Sequence, residues 1–253
     1  MIKWKLMLTT LPYVFLAVAA KVGLKYVGHF EGVIDFSDVG LVLTGGVFLI
    51  GFMLAGTMAD YKESEKVPGE IACVLETIEE TVAQAGVGRP AIEVESLRAD
   101  LFDVTTGIHA WLYKKLTQDR LFQKLTEFSV RIHEFEKAGA GGYASRVLSE
   151  IHVLRKLLTR VAVISRTGFL ASGYALLETL TIAIVALLMI AKFKSALAEI
   201  ILVAFVTLIY SYMLRLIRDV DDPYEYSPTA AKGAAEVDLF PLEEYLARAK
   251  TRL

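Results

Sequence analysis

The chain has 253 residues, of which 55% are hydrophobic and 22% charged, with a net charge of −2 and a mean hydropathy of +0.48. That apolar share exceeds what an average soluble protein carries, and the charges gather between Asp60 and Arg166 and after Arg215, so a membrane protein with one sizeable water-facing block is expected. No block of like charge suits nucleic acid, and the single cysteine, Cys73, excludes an internal disulfide and a metal–thiolate cluster; free cysteine is among the most buried residue types, so Cys73 is expected in the core.

The N-terminal stretch MIKWKLMLTTLPYVFLAVAAK has the basic start and apolar run of a secretory signal. It lacks a clear small-x-small cleavage site followed by a soluble domain, and a second apolar span follows soon after, so it reads as a retained first membrane helix. A helix needs about 20 apolar residues to cross a bilayer. Four segments qualify, at about 6–24, 39–58, 167–191 and 196–216. Lys21, near the end of the first, can snorkel, and Glu199, near the outer end of the fourth, is expected to reach the interface. The loops joining the paired spans, KYVGHFEGVIDFSD and KFKS, are short. They hold Lys25, Lys192 and Lys194, whereas Lys3, Lys5, Arg166, Arg215 and Arg218 flank the opposite ends of the spans. The positive-inside rule therefore predicts a multi-pass protein of the cell (inner) membrane with both termini cytosolic.

The expected division is residues 1–58 for the first two spans, 59–165 for a cytosolic helical block, 166–217 for the last two spans and 218–253 for a cytosolic tail. Within the block, Ile71, Leu75, Ile78 and Val82 recur at the helical period, as do Leu97, Leu101, Val104, Ile108 and Trp111, then Leu121, Leu125, Phe128, Ile132 and Phe135. Breaks are predicted at Gly86-Val87-Gly88-Arg89-Pro90 and at AGAGG, residues 138–142. From Tyr143 the helical pattern runs on into the third span. No run alternates strictly enough to demand a strand, so the fold class is all-α: four transmembrane helices and a helical cytosolic domain.

The second span is unusual. Residues 41–56 read LVLTGGVFLIGFMLAG, without a charge but with four glycines. Thr44, Phe48, Phe52 and Ala55 fall at i, i+4, i+8 and i+11, one stripe along a helix. Glycine lets membrane helices approach closely, so this helix is expected among other protein helices rather than in lipid. The stripe is either an ordinary helix–helix contact or, repeated around an axis by five copies, a narrow apolar collar that gates by dewetting. Aromatic edges turned inward carry positive partial charge, which tolerates anions.

Three stretches carry a family resemblance. The second span ends in Gly51-Phe52 and runs on through DYKESE; SRTGF, residues 165–169, opens the third span; and DVDDPY, residues 219–224, follows the fourth, with DLFPLEEYLARA further on. These resemble the bestrophins, especially the short bacterial ones, and the order of two spans, helical block, two spans and tail is similar too. The resemblance implies a homo-oligomeric, pentameric channel that passes small inorganic ions, anions such as chloride above cations, across the lipid bilayer. It implies a pore neck formed by Thr44, Phe48 and Phe52, where Thr44 departs from the family's apolar pattern and makes the outer neck more polar. The motif Asp219, Asp221, Asp222 and Pro223 is read as the turn that leads into the tail, whose Phe240, Leu242 and Leu246 are expected to pack on the cytosolic helices. Animal bestrophins bind calcium through an acidic run after this motif; here only Glu225 is acidic in the residues after Pro223, and hard cations want six or more oxygens, so no calcium clasp is expected.

Glu178 lies inside the third span, and an intramembrane carboxylate is a functional candidate. It could line the ion path, relay protons or pair with Lys21. The proton relay defines the competing reading, a proton-driven stator-type complex. An enzyme is not expected: His29, His109, His133 and His152 are scattered, Ser165 and Thr167 have no base partner, and no glycine-rich phosphate loop occurs. No metal or cofactor is expected.

Overall fold

In lipid every backbone polar group must be satisfied within the protein, which favours helices. The computed structural model describes residues 4–166, 171–226 and 235–253, and nearly all of its regular structure is helix. In chain order the elements are α1 (Lys5–Tyr26), β1 (Ile34–Asp35), α2 (Phe36–Ser64), α3 (Val67–Gly86), α4 (Val94–Leu112), α5 (Gln118–Ile132) and α6 (Glu134–Lys137). They continue with α7 (Gly141–Arg166), α8 (Ala171–Ile190), β2 (Ala191–Lys192), α9 (Ala196–Asp221) and α10 (Phe240–Lys250). Both predicted glycine breaks separate helices, α3 from α4 and α6 from α7. The expected run of one helix from the block into the third span falls on residues outside those described.

The chain divides into two compact units. The first holds α1, α2 as far as Tyr61, α8 and α9. In it α1 packs along α9, and α8 packs on both. Its core joins Val39, Leu43 and Ile50 of α2 to Leu177, Ile184 and Leu188 of α8 and to Val203, Tyr210 and Ile217 of α9. Between membrane helices the apolar effect gives no drive, because lipid is as apolar as leucine; close packing and hydrogen bonds hold them.

The two loops at one end of this unit form a feature the sequence pattern does not announce. Ile34–Asp35 and Ala191–Lys192 pair as two short parallel strands, Ile34 facing Ala191 and Asp35 facing Lys192. Two-residue strands carry no alternation to read. Gly32 makes the approach possible: it stands at φ +95°, and a Cβ there would lie 2.8 Å from the Ala191 carbonyl carbon. Val33 N–H then donates to the Ile190 carbonyl at 2.9 Å.

The second unit is a helical bundle of α3 to α7 with α10. Here α3 packs on α7, α4 and α10, and α5 packs on α4 and α7. The predicted stripes form its core, Leu75, Ile78, Ile108, Leu121, Leu125, Ile132 and Phe135 being fully buried. Two expectations fail. Cys73 is exposed, because it sits two residues, about 200° of helix, from the buried Ile71 and Leu75. On α10 the buried face is Leu242, Tyr245 and Ala249, while Phe240 is 55% exposed. Phe240 and Leu242 are likewise about 200° apart and cannot share a face.

Tyr245 anchors α10. Its hydroxyl donates to Glu79 Oε2 at 3.2 Å, and Arg252 donates to the same oxygen at 2.9 Å. Arg248 reaches Glu76 at 3.3 Å. Upstream, Tyr224 donates to the Ser64 carbonyl at 2.9 Å and Tyr226 to that of Val237 at 2.8 Å. Burial, then the neighbouring Glu79 carboxylate, pushes the Tyr245 hydroxyl above its ordinary 10.0; burial also raises Tyr224 and Tyr226. A raised folded pKa contributes stability that is intact below the unfolded value and is lost as pH climbs beyond it. Hydrogen exchange across α10 should therefore accelerate as pH rises above about 10, once corrected for the intrinsic pH dependence of exchange. Tyr245→Phe should flatten that rise, at a cost of about 1 kcal/mol at neutral pH; equal slopes in both proteins would contradict the anchoring role.

Candidate functional site

The helix α2 has two unlike faces. Val39, Leu43, Gly46, Ile50 and Thr57 are buried inside the protomer. Gly46 is where another helix comes closest: Tyr210 of α9 donates to the Leu43 carbonyl at 2.7 Å, and a Cβ on Gly46 would lie 2.3 Å from the Tyr210 hydroxyl oxygen. The opposite face is open. Phe48 is 77% exposed and Phe52 73%, and Thr44 and Ala55 are exposed beside them. The Thr44 hydroxyl is satisfied by its own helix, donating to the Gly40 carbonyl at 2.9 Å. Leu41, 83% exposed, extends the same stripe by i−3 from Thr44; an aliphatic residue at the start of an apolar span gives no sequence signal that sets it apart. Leu49 and Met53 are half-buried. A Cβ on Gly45, Gly51 or Gly56 would meet nothing within 4 Å, so no neighbour within the protomer accounts for these three glycines.

The intramembrane charges pair differently from expectation. Glu178 accepts from Arg218 of α9 and does not pair with Lys21. Arg218 also lies over the Tyr174 ring, 5.8 Å from its centroid, and Tyr174 donates to Asp221 at 2.8 Å. Asp219 and Asp221 thus occupy the last turn of α9, Asp222 is its C-cap and Pro223 follows. Carboxylates are unfavourable at a helix C-terminus, and Arg218 and the Tyr174 hydroxyl offset that.

Lys21 and Glu199 are the second correction. Neither reaches solvent: their side chains are 3% and 8% exposed and stand 3.4 Å apart. Lys25 is the second cation on Glu199. Lys21 Nζ also donates to the carbonyls of Ala191 at 2.6 Å and Met189 at 3.0 Å. The last carbonyls of any helix lack intrahelical partners; the ammonium serves that of Met189 in the last turn of α8 and that of Ala191 in β2 just beyond it. Among the described residues no group of three or more His, Cys, Asp or Glu is placed to hold a metal ion.

No family model matches the sequence, and no curated protein does. Solved structures do match. A variant of a bacterial bestrophin homologue from Klebsiella pneumoniae aligns with a TM-score of 0.76 at 13% identity over 97% of each chain. A second structure of a bestrophin homologue from that organism aligns at 0.74, with 13% identity, over 97% of this chain and 96% of the other. A further variant aligns at 0.75, with 12% identity, over 99% and 96%. The protein has the bestrophin fold. In this bestrophin-like chain α1, α2, α8 and α9 are each long and apolar enough to cross a membrane, which makes it a multi-pass membrane protein.

Two stability outcomes follow from this geometry. Gly46→Ala should cost about 1–3 kcal/mol by overpacking. Adding Tyr210→Phe should recover part of it, because the nearest ring atom would then be 3.1 Å away; thermal melting in detergent reads the pair. Glu199→Gln removes the shared partner of two lysines and should cost about 3–5 kcal/mol, whereas Lys25→Gln, at a far more exposed position, should cost clearly less. Equal losses would mean the buried pair is not what holds α1 to α9.

Proposed function

We propose that the protein is a homo-oligomeric ion channel, most simply a pentamer, in which copies of α2 surround a central path and Phe48 and Phe52 form its narrow neck. The observation that carries this reading is the open face of α2. Two large aromatic rings, Leu41 and three glycines with nothing near them line one side of a helix whose other side packs inside the protomer. Glycine lowers helix stability by up to about 1 kcal/mol per residue, so three of them facing empty space make sense where another helix comes close. The same helix in neighbouring copies is the partner that needs no further component.

The passed species are small inorganic ions, with anions such as chloride favoured over cations because ring edges present positive partial charge to the path. An ion in such a neck must shed water without gaining polar partners, so the collar resists conduction until it widens. In this reading residues 1–58 and 166–217 form the spans, and residues 59–165 and 218–253 lie in the cytosol below the inner membrane, with both termini on that side. The reading assigns no catalytic step, cofactor or metal. The direct pairing of Glu178 with Arg218 favours a channel over a proton-driven stator, because the carboxylate already has a partner within its own protomer.

Mass measurement in mild detergent should give a closed ring, five copies most simply. In planar bilayers Phe48→Ala with Phe52→Ala should raise open probability or conductance, while substitutions of Leu49 and Met53 change it less. A stable monomer, or wild-type currents from a double variant that assembles normally, would contradict the proposal.

A further inference from the structure

At the end of the membrane unit where the two short strands pair, a cleft of about 470 Å³ opens beside them. Its charged wall is Asp35, Lys192 and Lys194. Asp35 and Lys192 stand side by side in the strand register, yet among the described residues none of the three is in an ion pair. Its apolar wall is Phe36 and Phe193, stacked with centroids 5.0 Å apart, with Ala198 and Leu202 of α9. From Leu202 the apolar surface continues along the same face of α9 through Phe205, 60% exposed, and Ile209, 40% exposed. The spacings 198, 202, 205 and 209 are those of one helical stripe.

We infer that this cleft binds the headgroup of an amine-bearing zwitterionic phospholipid, a phosphatidylethanolamine, with an acyl chain lying along the α9 stripe. Two ammonium groups beside one carboxylate complement a phosphate monoanion carrying a primary amine. The lysines take the phosphate oxygens, and Asp35 takes the amine through a charge-assisted hydrogen bond. The cleft sits where the spans end, at the depth of headgroups, and the stripe runs from it along the span toward the bilayer centre. A soluble phosphate compound would use the lysines but leave Phe205 and Ile209 without a role. The site is separate from the open face of α2, and its occupancy is read without reference to conduction.

The test uses the full-length protein, stripped of lipid in detergent and offered phosphatidylethanolamine, phosphatidylglycerol or phosphatidylcholine at equal mole fraction, with bound lipid counted by native mass spectrometry. Wild type should retain phosphatidylethanolamine several-fold over the other two. Lys192→Gln with Lys194→Gln should lower its retention about tenfold. Asp35→Asn should abolish the preference over phosphatidylglycerol while leaving retention of the latter unchanged or higher. Leu202→Trp, which fills the cleft without altering charge, should also expel the lipid, and Lys250→Gln should change nothing. The inference fails if the lysine variant retains lipid like wild type, or if headgroup identity is immaterial. It fails too if glycerophosphoethanolamine, lacking acyl chains, competes as well as the lipid, or if no lipid binds and the lysine variant instead alters oligomer mass.

Discussion

The close approach of Tyr210 to α2 decides which way that helix turns. Only glycine at position 46 leaves room for the ring, and only with the ring there does the Leu43 carbonyl gain a donor from a second helix. Once this contact and the packing of Val39 and Ile50 set the rotation of α2, the period of the helix places Thr44, Phe48 and Phe52 on the other side. The open stripe is thus a consequence of the packed one. A bulkier residue at 46 would press on Tyr210 and Ile184 and strain the packing that fixes this rotation.

Charge is handled by the same economy of partners. A buried ammonium is costly unless paired and fully hydrogen-bonded. Lys21 meets that condition with one carboxylate and two carbonyls, that of Met189 in the last turn of α8 and that of Ala191 in β2. It thereby joins α1, α8 and α9 where the loops pair as strands. At the other end of α8 and α9, Glu178 and Arg218 serve each other, and Asp221 takes the Tyr174 hydroxyl. Apart from Lys21 and Glu199, the buried polar side chains of the described membrane unit are uncharged threonines, and α2 carries no charge from Val39 to Ala59.

How much of this was legible depended on whether a feature was periodic. The four spans, the three cytosolic stripes and the stripe on α2 repeat at the helical period, so burial or exposure of one member implies the next. The resemblance in short motifs agreed with the fold that solved structures share with this chain. Partners distant in the chain were not legible. Glu178 and Glu199 are both carboxylates within spans, and no local pattern says that Arg218 serves one and Lys21 with Lys25 the other. The strand pair was invisible because two residues cannot alternate. Phe240 lies off the buried face because about 200° of helix separates it from Leu242. Cys73 is exposed because its place on the helix outweighs the general preference of free cysteine for burial.

The central claim is that the open stripe of α2 faces the same stripe in other copies across a common axis. A cryo-electron microscopy map of the full-length protein in lipid nanodiscs tests it most directly. The account predicts a closed ring in which Phe48 and Phe52 of every copy point at the axis and Gly45 or Gly56 lies within contact of a neighbouring α2. A map in which these rings face lipid, or in which a helix other than α2 lines the axis, would contradict it.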